Sequence, residues 1–185
     1  MSFSGKFILY AWFSLCHPFS MFHSDDTAFP VRKRPSRNSV GGLFFDRPIA
    51  LFVTVNANRR QRVLAHPAAV ACLLDAWKNA QDWLVSRYIV MPDHVHFLCV
   101  PGRIPVPDFH RWMKYWKAMV ALSFPLLHAR PLWQRQCWDT QLRDGEHFSA
   151  KWEYLRANPV RKGLVARADD WPYQGTLCPM AWLER

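Results

Sequence analysis

The chain has no C-x-x-C pair, no long uninterrupted apolar run, no internal repeat and a shortage of acidic side chains. Its five cysteines (Cys16, Cys72, Cys99, Cys137, Cys178) are scattered and odd in number, which excludes a disulfide framework and a zinc knuckle. Cys72 and Cys99 lie inside apolar runs and read as small core residues. A reducing, cytoplasmic setting is therefore expected. The apolar run Phe7 to Cys16 follows Lys6 but is cut by His17-Pro18, leaving it too short to span a bilayer. No clear small-x-small cleavage site follows it, so a signal peptide or membrane anchor is disfavoured, and Met21 is an alternative initiator. Lys and Arg number 24 against 14 Asp and Glu, a net charge of +10. That excess favours a polyanionic partner, nucleic acid before membrane, because neutralising phosphates supplies most non-specific affinity.

What is present is a globular core. Half of the 185 residues are hydrophobic and ten are Trp, which rules out a largely disordered chain and fits one domain. Residues 1–42 read as an arm, flexible or misassigned, and its stretch Val31 to Asn38 carries Arg32, Lys33, Arg34 and Arg37 beside Pro and Ser. Such an arm suits phosphate contacts made on binding nucleic acid. The ordered domain is expected over 43–177, with 178–185 as a tail.

Ala50 to Val55 is β-branched and apolar, a strand; Asn56 to Arg62 is a turn carrying Arg59, Arg60 and Arg62. His66-Pro67 opens a helix running to about Trp83, with Val70, Leu73, Leu74, Trp77 and Leu84 on one face. Arg87 to Pro101 reads as one buried strand with a bulge or sharp entry at Pro92-Asp93. His94 and His96 project from it together, because successive strand side chains alternate faces. Two imidazoles side by side are half of a divalent-metal site.

A second helix is expected from Asp108, its N-cap, to Leu122, with Arg111, Lys114 and Lys117 as a cationic stripe and aromatic residues between. Leu132 to Arg143, which includes Arg135, reads as a strand or extended segment, and Asp144-Gly145 as a turn. Glu146 to Ala157 forms a last helix that Asn158-Pro159 ends, since the residue before proline is driven from the α region. The tail containing Trp171-Pro172-Tyr173 packs back across the domain. Tyr154 and Asn158, four residues apart, share a helix face: a phenolic nucleophile and an amide oxygen able to join two histidines on a cation. Mixed N/O ligation suits Mg2+ or Mn2+. A phenol is a weak nucleophile at neutral pH, so such a site needs the cation to stabilise developing charge. Tyr115, on the basic aromatic helix, is the competing nucleophile.

Several blocks together resemble a known family. Met91-Pro92-Asp93-His94-Val95-His96 is similar to the HUH metal motif, two histidines around a hydrophobic residue. Trp133 to Asp139 (WQRQCWD) and Tyr154 to Val165 (YLRANPVRKGLV) resemble the blocks that follow it in REP-associated tyrosine transposases, single-tyrosine relatives of HUH transposases. Phe52 to Val55 with Asn58-Arg59-Arg60 resembles the family's first strand and turn, and Asp170-Trp171-Pro172 its closing segment. The likeness runs from about Leu43 to Tyr173; residues 1–42 have no counterpart, and the helix from Asp108 matches only loosely.

The resemblance implies an α+β, ferredoxin-like antiparallel sheet with helices on one face. It implies metal-dependent cutting and rejoining of single-stranded or hairpin DNA with palindromic repeats, through a 5′-phosphotyrosine intermediate. His94 and His96 then stand as metal ligands, Asn158 as the third ligand and Tyr154 as the nucleophile. Arg161 and Lys162 join the arginines and lysines above as DNA contacts. A monomer is expected, a dimer being the alternative. Two rival functions are a non-catalytic hairpin-DNA binder of the same fold and a phosphodiesterase in which water attacks and Tyr154 is a spectator.

Overall fold

The computed structural model describes residues 49–125, 130–142 and 145–180. The basic arm with Arg32, Lys33, Arg34 and Arg37, and the expected domain start at Leu43, lie outside the described residues. Strand β1 (Ala50–Asn56) is followed by a 3-10 turn (Asn58–Arg60) and helix α1 (Pro67–Asn79). Strands β2 (Trp83–Met91) and β3 (His94–Pro101) follow, then helix α2 (Phe109–Ser123) and strand β4 (Trp138–Leu142). Helix α3 (Gly145–Arg156), a short helix α4 (Asn158–Arg161) and edge strand β5 (Gln174–Thr176) complete it.

The five strands form one antiparallel sheet in the order β4-β1-β3-β2-β5. The first four positions are the ferredoxin-like arrangement expected from the sequence: each βαβ unit skips a strand, and its neighbour fills the gap. β5 adds a fifth strand against β2, and Trp171 locks it by donating its indole N–H to the Val90 carbonyl at 3.0 Å. The closing segment thus packs back on the sheet as expected.

The pleat assigns two cores. Leu51, Val53, Val55, Val95, Phe97 and Cys99 face α1 and α2. There the tryptophans concentrate: Trp77 stacks on Trp116 at 5.5 Å, and Phe97 meets both edge-on or tilted. The opposite face, with Ile89, Met91, Leu98 and Val100, is covered by Phe148, Trp152 and Leu155 of α3. These recur at helical spacing, which is what lets one stripe of α3 lie on the sheet. The helices were expected on one face; α1 and α2 lie there, but α3 covers the other.

Three expectations need correction. The first helix stops at Asn79, and Trp83 begins β2; Leu84 falls in phase with the helical stripe by coincidence, and in the strand it packs in the second core. The single strand over Arg87 to Pro101 is a hairpin turning at Pro92-Asp93, with Met91 paired to His94. Tertiary bonds hold that turn: Leu64 N–H donates to the Pro92 carbonyl (2.9 Å) and Ala57 N–H to that of Asp93 (3.0 Å). Finally, Asn158 does not end the helical region but opens α4, where Pro159 sits in the first turn and needs no intrahelical donor. Asp108 caps α2 as expected, accepting from Arg111 N–H at 2.6 Å.

Candidate functional site

His94 and His96 lie on the α3 face of the sheet, beside Asn56 and Thr54 of β1 and opposite Met91 and Ile89 of β2. Their rings meet edge to face, with Nε2 atoms 3.1 Å apart. Each outer nitrogen is held: Asp93 Oδ1 lies 2.6 Å from His94 Nδ1, and Thr54 Oγ1 lies 2.8 Å from His96 Nδ1. A carboxylate at Nδ1 favours the proton there, so the Nε2 lone pair is left to point inward. Two ligands at right angles about 2.1 Å from a cation would sit roughly 3.0 Å apart. The imidazole pair therefore has the spacing of adjacent metal ligands.

Electrostatics keep the pair neutral. Burial lowers the pKa of His94 below its ordinary value; Asp93 opposes this, while Arg60 and Lys162 add to it. Burial lowers that of His96 much further, with His94, Lys151, Arg60 and Arg161 all working in the same direction. Burial works against ionisation of Asp93, but the His94 bond and the Arg60 charge outweigh it and hold its carboxyl below the usual range. Arg60, Lys151, Arg161 and Lys162 around the imidazoles give the site an attraction for an anion.

Tyr154 stands on the same side of the sheet. Lys151, three residues before it on α3, links it to the histidines: its Nζ lies 4.2 Å from the Phe52 ring centroid and 5.3 Å from that of Tyr154. Phe52 in turn lies 5.5 Å from the His96 ring. Arg161 folds over the Tyr154 ring at 4.0 Å and donates to the Tyr154 carbonyl at 3.0 Å. Tyr115, by contrast, is 55% exposed on α2, on the opposite layer from the histidines.

Asn158 is held elsewhere. Its Oδ1 accepts from Arg161 Nη2 at 2.6 Å, and its Nδ2 is buried with no partner among the described residues. Among the described residues, no three His, Cys, Asp or Glu side chains gather as a ligand set. The structure thus brings together the two histidines but gives the expected third ligand's oxygen to Arg161.

The expected DNA-contact residues divide. Arg59, Arg62, Arg111, Lys114, Arg135 and Lys162 are exposed, but Arg111 and Lys114 lie on α2, away from the histidines. Arg60 is drawn into the cluster: its Nε lies 2.7 Å from Asp93 Oδ2, it donates to Asn56 Oδ1, and its Nη2 lies 3.4 Å from His94 Nδ1. Arg59 and Arg60 reach this position with φ of 51° and 57°, a conformation costing non-glycine residues on the order of 1–3 kcal/mol each. Lys117 does not belong to a solvated stripe. Its ammonium donates to the carbonyls of Gln134, Arg135 and Gln136 (3.1, 3.4 and 3.3 Å), and burial lowers its pKa. Lys117→Met should therefore cost about 2 kcal/mol in urea denaturation. Unchanged stability with weakened DNA binding would return Lys117 to the surface role.

Sequence reasoning did not single out Thr54, Asp93, Lys151 or the inward role of Arg60. Lys151 was within reach, since i and i+3 side chains share a helix face. The Arg60–Asp93 pair joins two turns 33 positions apart and has no local signature.

No family model matches the chain. Residues of the chain are 24% identical over 124 positions to a REP-associated tyrosine transposase of Escherichia coli K12, covering 66% of this chain and 73% of that protein. They are 27% identical over 97 positions to a putative REP-associated tyrosine transposase of Haemophilus influenzae, covering 45% of this chain and 53% of that one. A solved structure of a REP-associated tyrosine transposase bound to a REP hairpin superposes with a TM-score of 0.61 at 22% identity. It covers 77% of this chain and 82% of the other, a likeness of fold. In sequence and in fold, this chain is similar to REP-associated tyrosine transposases.

Proposed function

We propose that the chain cuts and rejoins single-stranded DNA beside a hairpin, with Tyr154 as nucleophile and His94 and His96 as ligands of a Mg2+ or Mn2+ ion. The observation that carries the reading is the pair of inward Nε2 atoms 3.1 Å apart, on the same sheet face as the helix bearing Tyr154. The relatives named transposases, and the fold shared with one bound to a REP hairpin, support hairpin DNA as the partner. Among the described residues no helix is long and apolar enough to cross a membrane.

The chemistry follows from charge. A bound divalent cation would polarise a phosphate oxygen and stabilise charge in the transition state. The Tyr154 oxygen bonds to phosphorus as the bond to the 3′ oxygen breaks, leaving a 3′-hydroxyl and a 5′-phosphotyrosine. The reverse attack by a 3′-hydroxyl rejoins DNA, because the covalent link conserves the bond energy. Asp93 and Thr54 orient the imidazoles, and Arg60 holds Asp93. Asn158 remains the proposed third ligand, since an amide oxygen has a second lone pair beside the one given to Arg161. Phe52 and Lys151 connect His96 to Tyr154 within one chain, which supports a monomer acting alone.

The test uses a library of hairpin oligonucleotides with randomised single-stranded 5′ flanks, labelled on the 3′ side. Incubation with Mn2+ is expected to give protein-linked label that EDTA prevents. Metal-independent binding with neither adduct nor nick would instead establish the non-catalytic hairpin binder, which the diversion of the Asn158 oxygen to Arg161 favours. Nicking without protein-linked label would point to attack by water.

A further inference from the structure

Lys151 stands between the imidazole pair and the phenol, with no anionic partner among the described residues. Its Nζ rests over the Phe52 ring at 4.2 Å and 5.3 Å from the Tyr154 ring, while Phe52 lies 5.5 Å from His96. Among the described residues, no carboxylate pairs with it, although Asp93, Glu153 and Asp169 all pair with other cations. It is partly buried, and burial alone lowers its pKa. A half-desolvated ammonium resting on aromatic rings is costly unless an anion completes it. Cation–π contacts offset part of that cost. They also fix the ammonium in one place, since the rings on either side belong to different elements, β1 and α3.

We propose that Lys151 is a further catalytic residue, whose ammonium binds a non-bridging oxygen of the phosphate being cut and holds it against Tyr154. This rests on the strand-cleavage reading above. In the step, the bond from the Tyr154 oxygen to phosphorus forms and the bond to the 3′ oxygen breaks. The phenolic proton leaves to solvent and the 3′ oxygen takes one up from solvent. Lys151 keeps its protons throughout and contributes charge where negative charge develops, the placement that gives preorganised donors their leverage. Arg161, also over the Tyr154 ring, is already committed to the Tyr154 carbonyl and to Asn158, whereas among the described residues no protein oxygen takes the Lys151 donors.

The test measures single-turnover adduct formation and hairpin affinity separately, with the same labelled library and Mn2+. Lys151→Met and Lys151→Gln are expected to slow adduct formation by about 100-fold or more while weakening binding far less. Lys151→Arg should recover part of the rate. Thermal melting identifies which neutral variant keeps the wild-type fold. A folded neutral variant that forms adduct at the wild-type rate overturns the proposal, as does an equal loss in rate and affinity. Failure of both neutral variants to fold would make Lys151 a structural residue and overturn it too. If the wild-type protein forms no adduct, the cleavage reading falls and takes this role with it; normal adduct with an indifferent Lys151 removes this role alone.

Discussion

Tyr154→Phe is expected to abolish the protein–DNA adduct and to reduce strand cleavage by on the order of 10^4-fold or more, the scale of losing a covalent nucleophile. The substitution removes one oxygen from a side chain that is 38% exposed, so the fold should be unaffected. The ring would still lie under Arg161 and beside Lys151, because both contacts are made to its face. Binding to hairpin DNA should accordingly persist. Tyr115→Phe serves as the internal control and is expected to behave as wild type, since α2 packs on the layer away from the histidines. Adduct formation by the Tyr154→Phe protein, or its loss from the Tyr115→Phe protein, would reassign the nucleophile.

The second large effect concerns the imidazole pair. His96→Ala leaves His94 as a single nitrogen ligand among nearby arginines and lysines that repel a cation. Altering groups that merely orient a metal ligand commonly costs about 10–100-fold in affinity. Removing the ligand should exceed that, so Mn2+ binding measured by calorimetry should fall by more than about 100-fold and adduct should disappear. Asp93→Asn is the graded companion: the amide can still reach His94 Nδ1 but surrenders the charge that Arg60 holds, so an intermediate loss is expected. Undiminished Mn2+ affinity in the His96→Ala protein would separate the histidines from any metal site.

The fold was legible where pattern and chemistry agree over a whole element. The β1 strand, the Asp108 cap of α2 and the return of Trp171 follow from alternation, capping and burial, all local properties. The hairpin at Pro92-Asp93 was not, because the apolar run continues on both sides and the bonds that hold the turn come from Ala57 and Leu64. At the site, the joint projection of His94 and His96 was readable from period two, whereas the sheet face on which Tyr154 stands was not, because α3 covers the face opposite α1 and α2. Lys117 and Arg60 hold partners that sequence did not signal, because a basic residue reads as a surface charge until the chain supplies carbonyls or a carboxylate for it to hold. Asn158 reads as an available oxygen until Arg161, three residues later, takes it.

The pleat that alternates the side chains of β3 has an evolutionary corollary. Val95, Phe97 and Cys99 anchor the tryptophan-rich layer while His94 and His96 face the other way, so the imidazole pair lies outside that layer. A substitution of either imidazole would leave the tryptophan-rich layer itself unchanged. If the proposed cleavage holds, descendants that lose it could still keep a hairpin-binding scaffold.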